Sequence, residues 1–200
     1  MKHVNEIDTE AAIKAAAKKV FMKKGLAGAR LQEIADEAGI GRTALHYYFR
    51  SKEKLFQEVW RDVFKEMLER SVIIENAEVT VVEKMQLFAD HYFDKALSEP
   101  ELDIFMLNEF NNNPEIMNEI LQSGSPIMLM INDIKKAVEC GELKGEPQQI
   151  FITMISICVF SFAGKAMMQN MLKIDDETYI KLMKARKAYV IDFLKTAFKP

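Results

Sequence analysis

Residues 39–56 read GIGRTALHYYFRSKEKLF. Gly39 breaks one helical pattern, and Arg42 to Phe49 starts another with Leu45, Tyr48 and Phe49 on its apolar side. Leu45 and Phe49 suffice to pack such a short helix. Arg42, Thr43, Ala44, His46, Tyr47 and Tyr48 remain, and several of them project outward. Aromatic side chains exposed beside arginine suit phosphates, sugars and base edges better than plain solvent. Ser51 is placed to cap a following helix, with Glu53 in its first turn to suit the dipole. Immediately upstream, Leu31 to Ala38 repeats the helical pattern through Leu31, Ile34 and Ala35. Before it, Asp8 or Thr9 can cap a helix carrying Ala12, Ile13, Ala16, Ala17, Val20 and Phe21, which Gly25 stops. A helix, then short helix, turn and short helix, is a helix-turn-helix unit, whose last helix enters the major groove.

The charge agrees with that reading. The chain of 200 residues has a formal net charge of −3. Residues 1–56 nevertheless hold 11 Lys and Arg against 7 Asp and Glu, while residues 57–200 hold 16 against 23. A basic head therefore sits on an acidic body, the footprint expected of nucleic-acid binding. Eight glycines, five prolines and 49% apolar residues exclude collagen-like, linker-like and wholly disordered chains. Cys140 and Cys158 form neither a disulfide framework nor a zinc pattern, and Cys158 lies in an apolar run as a buried thiol. MKHVNEIDTE has no apolar signal core, and a reducing, cytoplasmic setting is expected.

Downstream the pattern stays helical. Leu55, Phe56, Val59, Trp60, Val63, Phe64, Met67 and Leu68 predict a long helix over about 52–72, joining head to body. Further helices are expected over 79–98, 101–111, 114–122, 126–140, 147–170 and 175–198, with Asn113-Pro114 and Ser125-Pro126 each pairing an N-cap with proline at the first position. The expected fold is all-α, with roughly nine or ten helices. Residues 150–163 are apolar on every face but shorter than the ~20 residues that cross a bilayer, so no membrane partner is expected. A helix buried on both sides fits better, one side on the core and the other on a second chain, with a fully internal core helix as the alternative. Met154, Cys158, Phe160, Tyr179, Met183, Val190, Phe193 and Leu194 are the expected interface of a homodimer built as a four-helix bundle.

Residues 9–60 resemble the tetracycline-repressor family of bacterial transcriptional regulators. The match lies in Ala16, Phe21, Lys24-Gly25, Ile34-Ala35, Ala38-Gly39, and Leu45-His46-Tyr47-Tyr48-Phe49 followed by Ser51-Lys52-Glu53 and Leu55-Phe56. The resemblance implies a DNA-binding domain over 6–66, with its helix-turn-helix at about 30–49, and a helical ligand-sensing and dimerisation domain over 67–200. It implies base-edge contact for Arg42, Thr43, Ala44 and His46, phosphate or thymine-methyl contact for Tyr47 and Tyr48, and phosphate pairing for Arg30 and Lys52. The plainer alternatives are core packing against Phe21 for Tyr48 and an exposed bystander role for His46. Two departures matter. Ala29-Arg30 stands where the family has a capping Ser or Thr, and Thr43 where it often has Gly, so the base sequence recognised does not transfer.

Residues 76–200 hold ten Met and nine Phe, adaptable side chains suited to an apolar cavity or a plain core. Phe88, His91, Tyr92, Met106, Phe110, Met128, Met154 and Phe162 are the expected lining. Asp90, His91 and Asp94 do not share one face, and no metal site is expected. No nucleophile elbow, phosphate-binding glycine loop or zincin motif occurs, so neither an enzyme nor a cofactor is expected. The expected function is a regulator, most simply a repressor, that leaves a palindromic DNA operator when a small hydrophobic effector binds. The alternative is a DNA-binding protein whose second domain only dimerises or binds another protein.

Overall fold

The computed structural model describes residues 2–112 and 125–200. Among them are ten helices and no strand. The expected helix over 114–122 lies outside the described residues. The chain divides into two compact units, Met1–Met67 and Leu68–Pro200.

The first unit contains α1 (Lys2–Gly28), α2 (Leu31–Glu37), α3 (Arg42–Tyr48) and the first part of α4 (Lys52–Glu75). α1 starts well before the expected cap at Asp8 or Thr9, both of which lie inside it. Gly25 interrupts it with φ 65°, as a residue free of Cβ can. The core is Ile13, Ala17, Phe21, Ile34, Ala35, Leu45, Phe49, Leu55 and Phe56, all buried. Phe21 and Phe56 meet edge to face with centroids 5.0 Å apart.

The second unit is built around α5 (Val81–Ser98), which packs chiefly on α10 (Asp176–Thr196) and also on α8 (Pro147–Ala163) and α7 (Pro126–Glu139). α6 (Leu102–Asn112) packs on α8. The starts of these helices follow the sequence signals. Thr80 and Glu83 form a reciprocal capping box, while Ser125 and Asp175 accept from the backbone N–H groups of Met128 and Thr178. Met85, Ala89, Phe93, Ile134, Ile150, Met154, Cys158, Phe162, Tyr179, Met183, Val190 and Leu194 fill the core. Lys84 is buried between two carboxylates, 2.6 Å from Asp133 and 3.3 Å from Glu75. Burial alone would lower its pKa, but the two carboxylates outweigh burial and raise it.

The expected single helix over 147–170 is two. α8 stops at Ala163, and α9 (Lys165–Leu172) departs at 71°. Gly164 makes the corner: a Cβ there would stand 2.9 Å from the Phe160 carbonyl oxygen. No single helix among the described residues is long and apolar enough to cross a membrane.

Candidate nucleic-acid interface

The turn between α2 and α3 is built by backbone hydrogen bonds. Gly39 N–H donates to Asp36 and Ile40 N–H to Ala35, the paired bonds of a Schellman C-cap, and Gly39 adopts φ 68°. The turn aims α3 away from α2 while Leu45 and Phe49 anchor it in the core. Leu45 is wholly buried, and its burial fixes which face of a seven-residue helix points out.

That outward face carries Arg42, Thr43, Ala44, His46 and Tyr47, all exposed. Tyr47 is 75% exposed, unusual for a large aromatic. Tyr48 is half-buried and supports Tyr47 edge to face at 5.3 Å. Tyr48 is thus partly a packing residue, although its recorded ring partner is Tyr47.

Lys14, Lys19 and Lys24 of this unit are paired locally, with Asp62 at 3.1 Å, Glu37 at 3.0 Å and Glu33 at 2.8 Å. Arg42 and Arg50, by contrast, make no ion pair among the described residues and are exposed. Arg50, just past α3, is a candidate phosphate contact that the sequence reading missed; its signal was a second arginine bracketing the aromatic run. Arg30 is exposed at the N-cap of α2, and its side chain makes no capping hydrogen bond. Lys52 is half-buried and donates to the Ala29 carbonyl at 3.1 Å, tying the start of α4 to the residue before Arg30. Ser51 caps α4 through the Lys54 N–H at 3.2 Å.

Two family models match the chain. Residues 13–59 match the bacterial regulatory proteins of the tetR family, and residues 82–193 match the tetracyclin repressor-like C-terminal domain. The chain belongs to the tetracycline-repressor family.

Its head is 46% identical over 52 residues to the HTH-type transcriptional regulator RutR of Escherichia coli strain K12. That match covers 26% of this chain and spans 24% of the length of RutR. The whole fold is similar to the ketosteroid transcriptional regulator KstR2 of Mycobacterium tuberculosis, with TM-score 0.70 and 16% identity over 96% of this chain and 95% of that one. It is also similar to FadR of Bacillus subtilis, solved in complex with stearoyl-CoA, with TM-score 0.66 and 19% identity over 93% and 97%. Like the family, these relatives are transcriptional regulators and not enzymes.

In the repressor-like C-terminal unit seven of the eight expected lining residues are buried or half-buried. Phe88, Tyr92 and Phe162 come together, with ring centroids 5.8 Å and 6.2 Å apart in sequence along the row. Met106 and Met154 are buried, and Phe110 and Met128 are half-buried. His91 is exposed, on the opposite side of α5 from buried Ala89 and Phe93, and does not belong to a lining. None of the eight lines the groove of about 600 Å³ bordered by Thr80, Lys84, Asp133, Lys136 and Glu142.

The expected interface set also needs correction. Met154, Cys158, Tyr179, Met183, Val190 and Leu194 are buried in the core of their own chain and offer no surface to a second. For Met154 and Cys158 the physical reason is that α8 is apolar all round, so its sequence does not say which side faces inward, while Tyr179, Met183, Val190 and Leu194 are the apolar face by which α10 packs on its own core. Phe160 is 51% exposed, and Phe193 is half-buried against Phe198 at 6.3 Å. Asp103 was not anticipated at all. It is buried on α6 and takes a hydrogen bond from the Tyr92 hydroxyl. Its position three residues before Met106 and seven before Phe110 put it on their helix face, which was the available signal.

Proposed function

We propose that the protein is a homodimeric repressor, with a DNA-reading head at about residues 6–66 and a sensing and dimerising body at about 67–200. The observation that carries this reading is α3: a short helix pinned from inside by Leu45 and Phe49, with Arg42, Thr43, Ala44, His46 and Tyr47 exposed together on its other side. Arg42 and His46 are the candidates for base edges, and Tyr47, Arg50, Arg30 and Lys52 for phosphates and sugars.

Two-fold symmetry turns one reading helix into two and the operator into a palindrome, with half-sites about 34–36 Å or more apart. An exposed apolar strip supports the dimer. Ile152 and Phe160 on α8, and Leu182 and Tyr189 on α10, are 53%, 51%, 42% and 67% exposed. Spacings of eight on α8 and seven on α10 put each pair on one helix face. Phe160 was in the expected interface set, and Ile152, Leu182 and Tyr189 take the place of its core residues.

An apolar effector is supported by the aromatic row Phe88, Tyr92 and Phe162. FadR, of the same fold, was solved with stearoyl-CoA, which carries a long apolar acyl chain, and KstR2, also of this fold, is a ketosteroid transcriptional regulator. An effector acts only through its preference for the DNA-incompetent state, and coupling of about 1–3 kcal/mol would weaken operator binding roughly 5–150-fold. The test is to find stabilising compounds by thermal shift and then measure operator affinity with each by fluorescence anisotropy. Weakened operator binding supports sensing. Stabilisation with unchanged operator affinity favours a body that only dimerises or binds a protein.

A further inference from the structure

Asp103 is a buried carboxylate with one oxygen paired and the other not. Its side chain is 8% exposed on α6. The Tyr92 hydroxyl donates to Oδ1, while Oδ2 is fully buried and has no hydrogen-bond partner. Buried carboxylate oxygens accept several bonds each and are rarely left empty. Among the described residues Asp103 makes no ion pair, and no cation is among the groups that shift its carboxyl. Its immediate neighbourhood is aromatic. Tyr92, its one partner, stands between Phe88 and Phe162, and Phe162 meets Phe93 at 5.2 Å.

We propose that Asp103 Oδ2 is the polar anchor of an effector site walled by Phe88, Tyr92 and Phe162. The site takes an apolar or aromatic molecule that carries a hydrogen-bond donor, a protonated amine above all. The proposal rests on the sensing reading and names the chemistry of its ligand. An ammonium supplies both the missing donor and the missing countercharge, and a charge-assisted bond of this kind is about twice as strong as a neutral one. A hydroxyl supplies the donor alone. A carboxylate or phosphate supplies neither and meets like charge. Burial pushes the Asp103 carboxyl up to about 6, with the Tyr92 hydrogen bond opposing, as expected of a carboxylate that lacks a cation. Tyr92 keeps Oδ1 occupied, which leaves Oδ2 as the oxygen without a donor.

The test uses three matched probes: 2-(2-naphthyl)ethylamine, 2-(2-naphthyl)ethanol and 2-naphthylacetate. Each is titrated by calorimetry into the full wild-type chain and into Asp103→Asn. The wild type is expected to bind the amine at least about tenfold more tightly than the acetate, with the alcohol between, and Asp103→Asn to erase that order. The wild-type series alone decides the matter if the variant does not fold. Equal affinities, no binding of any probe, or an order that survives in Asp103→Asn would overturn the proposal. So would a crystal of the amine complex in which Oδ2 holds only a water. Operator affinity measured alongside separates the two ideas. An Asp103-dependent amine that leaves operator binding unchanged contradicts sensing and not the site. A probe that releases the operator equally from Asp103→Asn contradicts the site and not sensing.

Discussion

Phe160→Glu should separate the protomers without unfolding them. Phe160 lies 51% exposed on α8, beside the corner at Gly164, while its neighbours Cys158 and Phe162 face the core. A phenylalanine side chain buries roughly 200 Å², so the exposed half is about 100 Å², worth about 2.5 kcal/mol at about 25 cal/mol/Å². Two-fold symmetry counts it twice, about 5 kcal/mol, before the cost of burying a carboxylate is added. That corresponds to a dimer dissociation constant weakened by at least about 1,000-fold. Sedimentation velocity from nanomolar to tens of micromolar reads it directly. Circular dichroism and the unfolding midpoint should stay near wild type, because the substituted side chain is not in the core. Met154→Glu should instead unfold the second unit, since Met154 is 1% exposed. A Phe160→Glu chain that dimerises as tightly as wild type would refute the assignment of this face.

Lys52→Ala removes the bond to the Ala29 carbonyl and one candidate phosphate contact. It should weaken binding to all DNA sequences alike and flatten the salt dependence, and a changed sequence preference on a random-duplex array would contradict that role. Asp103→Asn should change how stability depends on pH. The carboxyl rises from 3.8 to about 6 on folding, so the folded chain holds this proton more tightly than the unfolded one. Its favourable share is full below about 3.8 and is lost as pH rises through about 6, a swing of about 3 kcal/mol. The stability of wild type relative to Asp103→Asn should therefore fall by about 2–3 kcal/mol from pH 4 to pH 8 in urea titrations. A difference independent of pH would show that burial does not perturb this group.

What the sequence made legible, and what it hid, divides along physical lines. The head was legible because its signals are local. Gly39 fixes the turn, Leu45 and Phe49 fix the inward side, and what is left on α3 faces out. Capping signals at Ser51, Ser125 and Asp175 were legible for the same reason. The start of α1 was not, because a good capping residue does not stop a helix that already has turns before it. α8 hid its orientation: with apolar residues all round, Met154 and Phe160 read alike, yet one is buried and the other half exposed. The corner at Gly164 depends on a close approach to the Phe160 carbonyl, a contact made only once the helix exists. The spacing of Asp103 from Met106 and Phe110 shows the helix face it shares with them, but its pairing with Tyr92 on another helix leaves no trace in spacing.

Whether α3 reads bases is decided by a random-duplex selection with wild type and Arg42→Ala. The wild type should return a palindrome with half-sites about one helical turn or more apart. Arg42→Ala should relax the preference at one symmetry-related pair of positions by about 1–3 kcal/mol, roughly 5–150-fold, and leave the other positions unchanged. A wild-type selection without a symmetric motif, or an Arg42→Ala motif identical to wild type at every position, would contradict it.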